Sequence, residues 1–209
     1  MSNTPTPNLS ANPETPSSEA SPKIGAKSEL QTTPKTTSAP YAQLRLWLRD
    51  LAISIILAVF VIIFLYQPVK VEGTSMLPEL QDQERIFINK FVYRLEPIAR
   101  GDVVVFHFPH DTSKSFIKRV IGIAGDRIRI VDGEVYLNGE LLAESYVPAD
   151  YTDHFSIPEL TVPANSYFVL GDHRSMSNDS RAFGPVEGGY IYGKAVFVYW
   201  PMEKLGRVR

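Results

Sequence analysis

At 209 residues the chain has room for one or two domains around a real apolar core. Its formal net charge of -2 gives no reason to expect nucleic acid as a partner, and 44% hydrophobic with 21% charged residues is an ordinary folded composition. With 0 cysteines, thiol catalysis, disulfides and cysteine-based zinc sites are excluded.

From Met1 to Pro40 the chain is built of Ser, Thr, Pro, Ala, Asn and Lys, with almost no large apolar side chains. Such a segment cannot bury enough surface to offset its conformational entropy, so residues 1–44 are read as a disordered tail. Leu51 to Tyr66 then carries no charge, with Ser54 and Tyr66 its only polar side chains. It is a little shorter than the ~20 residues a spanning helix needs, and Trp47, Leu48 and Gln67 extend it to the interfaces. It starts far from Met1 and ends in Tyr66-Gln67-Pro68, without the small-residue cut of a signal peptide. Residues 45–67 are therefore read as one retained transmembrane anchor, since Leu51–Tyr66 is apolar all round; a buried core helix is the competing reading. Arg45 and Arg49 before the span, with Lys23, Lys27 and Lys35 behind them, outweigh Lys70 after it. That excess puts the tail in the cytoplasm and residues 68–209 outside.

After Pro68 the texture changes to short runs rich in Val, Ile, Phe and Tyr. These are Arg85–Lys90, Asp102–Phe108, Phe116–Ala124, Asp126–Val131, Glu134–Leu137, Tyr167–Leu170 and Tyr190–Trp200. Turn signals separate them at Gly101, Gly125, Asp132-Gly133 and Asn138-Gly139, and the runs flanking Asp132-Gly133 predict a hairpin. No helical period of useful length follows the anchor, so the domain is predicted to be mostly antiparallel β.

Chemistry-bearing residues stand out in three of its segments. Gly73-Thr74-Ser75-Met76-Leu77-Pro78 suits a tight turn that exposes the Ser75 hydroxyl and N–H, although an ordinary turn serine has the same composition. In the strand from Phe116, alternation puts Lys118 on one apolar face and Arg119 on the other. A buried arginine stays protonated and needs an anionic partner, whereas a desolvated lysine can lose its proton and serve a serine hydroxyl as base. Snorkelling of Lys118 to water is the competing reading. Gly171 to Arg181 gathers acids, bases and hydroxyls, in which Asp172 can neutralise Arg119 and Asp179 can pair with Arg181. A plain solvated loop shares that composition.

In this order, Ser75-Met-x-Pro after the apolar span, Arg100-Gly-Asp-Val-Val-Val-Phe, Lys118-Arg-Val-Ile-Gly-x-x-Gly-Asp and Gly171-Asp-x-Arg-x-x-Ser-x-Asp-Ser-Arg resemble the type I signal peptidase family of Ser–Lys proteases. The resemblance runs from the anchor almost to the C-terminus, leaving out the tail and a middle insert. It implies a coiled antiparallel-sheet catalytic domain of signal-peptidase/LexA-like type behind one N-terminal transmembrane helix, with a small variable insert at about 131–165. It also implies a membrane-bound serine endopeptidase that cuts N-terminal signal peptides from exported preproteins after a small-x-small motif, through an acyl-enzyme. Ser75 looks like the nucleophile, its N–H like the oxyanion donor, and Lys118 like the general base. Ser177 looks like the hydroxyl that orients the lysine. Asp172 with Arg119, and Asp179 with Arg181, look like structural support, while Met76 and Pro78 would shape the nucleophile turn.

Some family members place a serine two residues before the nucleophile to help hold the oxyanion; this chain has Gly73 there. His173 stands where Asn is common and receives no catalytic role. The substrate would add as a strand beside Val69–Glu72 or a neighbouring strand. No cofactor or metal is implied; the partners are preprotein signal peptides and the lipid bilayer of a bacterial plasma or thylakoid-type membrane, and the enzyme is expected to act as a monomer. A LexA-like self-cleaving protease would lack the anchor and carry a DNA-binding helix pair, the opposite arrangement. A Ser75–His173–Asp172 triad is opposed by the adjacency of its last two members, and Pro109 breaks the His107/His110 pair as a metal site. A tethered binding domain that had lost activity would lack Ser75 or Lys118. Phe106-His-Phe-Pro is a candidate for dipping into the bilayer surface.

Overall fold

The computed structural model describes residues 40–209, without the side chains at 40, 42, 63 and 64. The tail reading of residues 1–44 falls mostly outside these, but positions 40–44 open a helix, α1 (Pro40–Leu65). Among the described residues no helix is long and apolar enough to cross a membrane. The helix also stops short of the expected anchor boundary. Tyr66 and Gln67 belong to strand β1 (Tyr66–Lys70), where they stand opposite Asn89 and Ile88.

The remaining chain is mostly β, as its alternating runs predict. The strands are β2 (Arg85–Asn89), β3 (Val103–Phe108), β4 (Asp111–Gly122), β5 (Arg127–Val131), β6 (Glu134–Leu137), β7 (Glu140–Leu141), β8 (Ile157–Thr161), β9 (Ser166–Leu170), β10 (Val186–Glu187), β11 (Ile191–Trp200) and β12 (Gly206–Arg207). All described pairings are antiparallel. The larger sheet runs β1-β2-β11-β3-β4-β9-β10, with β12 added to β11, and the smaller runs β7-β6-β5-β8. The only helices after α1 among the described residues are short: α2 (Val92–Leu95), α3 (Ser180–Phe183) and single 3-10 turns.

Alternation along the strands divides the core. Ile86, Ile88, Val103, Val105 and Ala195 pack with Val71, Met76 and Leu80 from the turn between β1 and β2. The opposite side chains of β3, β4 and β9 (Val104, Phe106, Val120, Val169) form a second cluster, joined by Val186 and Ile191. A third cluster joins Ile128, Ile130 and Val135 of the smaller sheet to Ile121, Phe168 and Leu170 of the larger. The segment expected at about 131–165 as a variable insert thus supplies core, because it carries strands whose apolar face has to be covered. Phe106 is fully buried, so the expectation that it dips into a bilayer is corrected; it is a core residue.

Candidate active site

The turn between β1 and β2 carries Ser75. Met76 and Leu80 are both buried, and the Leu80 N–H donates to the Met76 carbonyl at 2.8 Å, so core packing fixes the backbone next to the serine. Gly73 takes φ of +96°, a conformation that favours glycine, and its N–H donates to Asp82 Oδ1 at 2.8 Å. Pro78 follows a cis peptide bond in the same turn. Among the described residues the Ser75 N–H finds no acceptor, whereas its carbonyl accepts from the His173 N–H at 3.1 Å.

Lys118 comes from the centre of β4, opposite Val104. Its side chain is buried, so the snorkelling alternative does not hold. Nζ reaches Ser75 Oγ at 2.7 Å and the Ile117 carbonyl at 2.9 Å, and lies 5.4 Å from the Phe116 ring centre. Burial brings its pKa down to about 8; Asp179 and Asp172 pull the other way, and Arg181 reinforces the fall. An amine so placed is free of its proton in an appreciable fraction near neutral pH and touches the hydroxyl it would deprotonate.

Arg119, on the opposite face of β4, makes a two-point contact with Asp172: Nε to Oδ1 at 2.8 Å and Nη2 to Oδ2 at 2.6 Å. Both partners are buried. With its two oxygens so engaged, Asp172 does not orient His173, whose ring lies 4.2 Å from that of Tyr151 and whose Nδ1 is 3.3 Å from the Thr74 carbonyl. No Ser-His-Asp triad is assembled. Asp179 caps α3, accepts from the Gly171 N–H at 3.1 Å and holds Arg181 through Nε and Nη2, each at 2.8 Å. Gly171 is squeezed between the two sides of the site: a Cβ there would stand 2.5 Å from the Ser75 carbonyl oxygen and collide with the Ser177 side chain.

One expected contact is not made. Ser177, read as orienting Lys118, has its Oγ buried with no hydrogen-bond partner. Sequence reasoning also missed Arg174, which donates from Nε to the Gly171 carbonyl at 2.9 Å and grips Glu144 at 2.7 and 2.5 Å. It missed Asp153 as a second partner of Arg181. Arg174 lies within a motif that the sequence singled out, but its partner sits 30 residues away, in a stretch without strand pattern. His107 lies against Tyr192, its ring 4.6 Å away, and His110 against Phe108, at 5.3 Å.

A cavity of about 450 Å³ opens on the dyad. Val69–Met76 line one side and Ser115–Lys118 another, with Val105, Met176, Asn178 and Tyr192 completing it. Both strands at its edge offer free backbone. β1 ends the larger sheet, and β9 pairs with β4 only from Arg119 onward.

A buried lysine and the serine hydroxyl it contacts, beside an open cavity, have the chemistry to serve as base and nucleophile. Among known proteins, the family model described as signal peptidase, peptidase S26 matches residues 44–200. A signal peptidase I of Leptolyngbya laminosa is 37% identical over 77% of this chain and 82% of its own. A signal peptidase IB of Staphylococcus aureus is 33% identical over 76% of this chain and 90% of its own. A crystal structure of a signal peptidase I from Enterococcus faecalis V583, 34% identical, covers 47% of this chain and 97% of that one with a TM-score of 0.41. The chain belongs to the signal peptidase family, peptidase S26, and is a serine hydrolase.

Proposed function

We propose that this chain is a membrane-anchored endopeptidase that removes signal peptides from exported preproteins, cutting after a small-x-small motif. Ser75 attacks the scissile carbonyl, Lys118 in its neutral form takes the hydroxyl proton, and water later releases the acyl-enzyme. The observation that carries this reading is the 2.7 Å contact between Lys118 Nζ and Ser75 Oγ, made by a lysine that burial inclines to be neutral. The unengaged Ser75 N–H supports its role as donor to the oxyanion; a donor of this kind is worth about 10²–10³ in rate. Ser177, whose buried hydroxyl is without a partner, is assigned to orienting the base on the family resemblance.

An extended substrate fits as a strand between the free edges of β1 and of β4 at Ser115–Ile117. Alternate side chains would then enter the cavity, which favours small residues at the first and third positions before the cut. The anchor rests on the uncharged run Leu51–Tyr66, which passes through positions 63 and 64, and on the exposed apolar side chains Ile53, Ile56, Leu57, Val59 and Ile62 of α1. The arginines at 45 and 49 favour the preceding tail in the cytoplasm and residues 68–209 outside, as in a single-pass protein of a bacterial plasma or thylakoid-type membrane.

The test is cleavage of a precursor bearing an Ala-x-Ala site by the detergent-solubilised full chain, with the cut located by mass spectrometry. The proposal expects one cut after the final Ala, none by Ser75→Ala, and none when that Ala becomes Phe. Indifference to the Phe replacement would remove the specificity claim. No cleavage by folded wild type would leave a tethered binding domain as the reading.

A further inference from the structure

The network around the loop Gly171–Arg181 extends into the smaller sheet's connections, and no step of the mechanism uses it. Tyr146 donates its hydroxyl to Glu144 Oε1 at 2.6 Å, while its ring lies 4.3 Å from the Arg119 guanidinium carbon. Glu144 in turn holds Arg174 at two points. Arg174 holds the carbonyl of Gly171, the residue squeezed against the Ser75 carbonyl. Glu144 and Tyr146 thus touch, through one residue each, both halves of the dyad: the strand that carries the base and the loop that abuts the nucleophile. The side chains of Glu144 and Arg174 are 12% and 4% exposed, so solvent does little to weaken the pair.

We propose that Glu144, with Tyr146 against it, is a positioning residue for the Ser75–Lys118 dyad, holding Arg174 on Gly171 and Arg119 on Asp172. The inference rests on the proposed peptidase reading. It turns the segment between β7 and β8 from a variable appendage into a brace of the active site. With Glu144 neutralised, Arg174 loses its carboxylate and its charge acts on the neighbouring Asp172. The charged groups that bear on Lys118 are Asp179, Asp172 and Arg181. Weakening the field of Asp172 favours the neutral lysine, while the loosened loop spoils its alignment with Ser75.

The experiment measures kcat, KM and the pH dependence of kcat/KM for the full chain in detergent on an Ala-x-Ala precursor. It compares wild type with Glu144→Gln and with Tyr146→Phe, which keeps the ring over Arg119 and removes only the hydroxyl. Thermal unfolding accompanies each. For Glu144→Gln the proposal expects kcat to fall at least about 10-fold with KM within about two-fold, as misalignment of reacting groups acts on rate more than on binding. The rising limb of the pH profile is expected at lower pH than in wild type, and Tyr146→Phe should move both readouts the same way by less. Folded variants with wild-type kcat and an unmoved limb would overturn the proposal. So would a rate loss that tracks lost thermal stability while the limb stays in place, because that is the mark of a merely structural pair. Failure of the wild type to cleave would instead strike the peptidase reading itself.

Discussion

Replacing Lys118 by Met should stabilise the protein in a pH-dependent way while removing most of its activity. Lysine ordinarily holds its proton to about 10.5, and burial here brings Lys118 down to about 8. Between those values the unfolded chain carries a proton on Lys118 that the folded chain has lost, so folding stability rises with pH across that window. Below about 8 both states are protonated, and the folded state carries the full penalty of a buried ammonium, about 3 kcal/mol. Methionine has a similar length, stays uncharged at every pH and escapes the penalty. Whatever it loses in hydrogen bonds to Ser75 and Ile117 is nearly the same at every pH and cancels from the comparison. The advantage of Lys118→Met over wild type should therefore shrink by about 2 to 3 kcal/mol between pH 7 and pH 10. For a chain of this size that is about 5–10 °C in the difference of Tm, read by thermal unfolding of both proteins in the same detergent. A difference that stays flat over this range would refute the reasoning, because the lysine would then not be desolvated and its fitness as a base would lack a physical cause.

Other substitutions probe the frame of the site. Gly171→Ala places a Cβ 2.5 Å from the Ser75 carbonyl oxygen and should cost at least about 100-fold in kcat, measured on the Ala-x-Ala precursor. Asp172→Ala strands the buried Arg119 guanidinium and should lower stability by about 3–5 kcal/mol, whereas adding Arg119→Met should recover much of that loss in thermal unfolding. Gly73→Ser has room for its side chain but must hold φ of +96°, a strain of about 1–2 kcal/mol. A lowered Tm with no gain in kcat is expected, and a gain would mean that the new hydroxyl reaches the oxyanion.

β3 and β4, which frame Lys118, were legible as runs rich in Val, Ile and Phe between the turn signals at Gly101 and Gly125, although their central residues are buried on both faces. β6 has the predicted bounds, and the hairpin at Asp132-Gly133 forms with both residues at positive φ. β8 was missed because Pro158 demotes the run, yet this strand lies at a sheet edge, where a missing N–H is tolerated. The first two residues of β1, Tyr66 and Gln67, were absorbed into the anchor, since hydropathy does not tell where a helix hands over to a strand. In the site, Asp172–Arg119 and Asp179–Arg181 were foreseeable, the first from a buried cation needing an acid and the second from sequence neighbours. The pairs Glu144–Arg174 and Asp153–Arg181 were not, because local pattern does not specify which exposed-looking acids fold back over the motif loop. The contact expected of Ser177 came from resemblance, and its buried hydroxyl has no partner in the structure.

The central claim is that Lys118 is the base for Ser75, and kcat/KM on the Ala-x-Ala precursor from pH 6 to pH 10 tests it most directly. The wild type should show a rise with pH through about 8, and a folded Lys118→Met variant a loss of roughly 10²–10⁴. A limb near 6.5, the range of an ordinary histidine, that persists in an active Lys118→Met variant would contradict it and pass the base to His173.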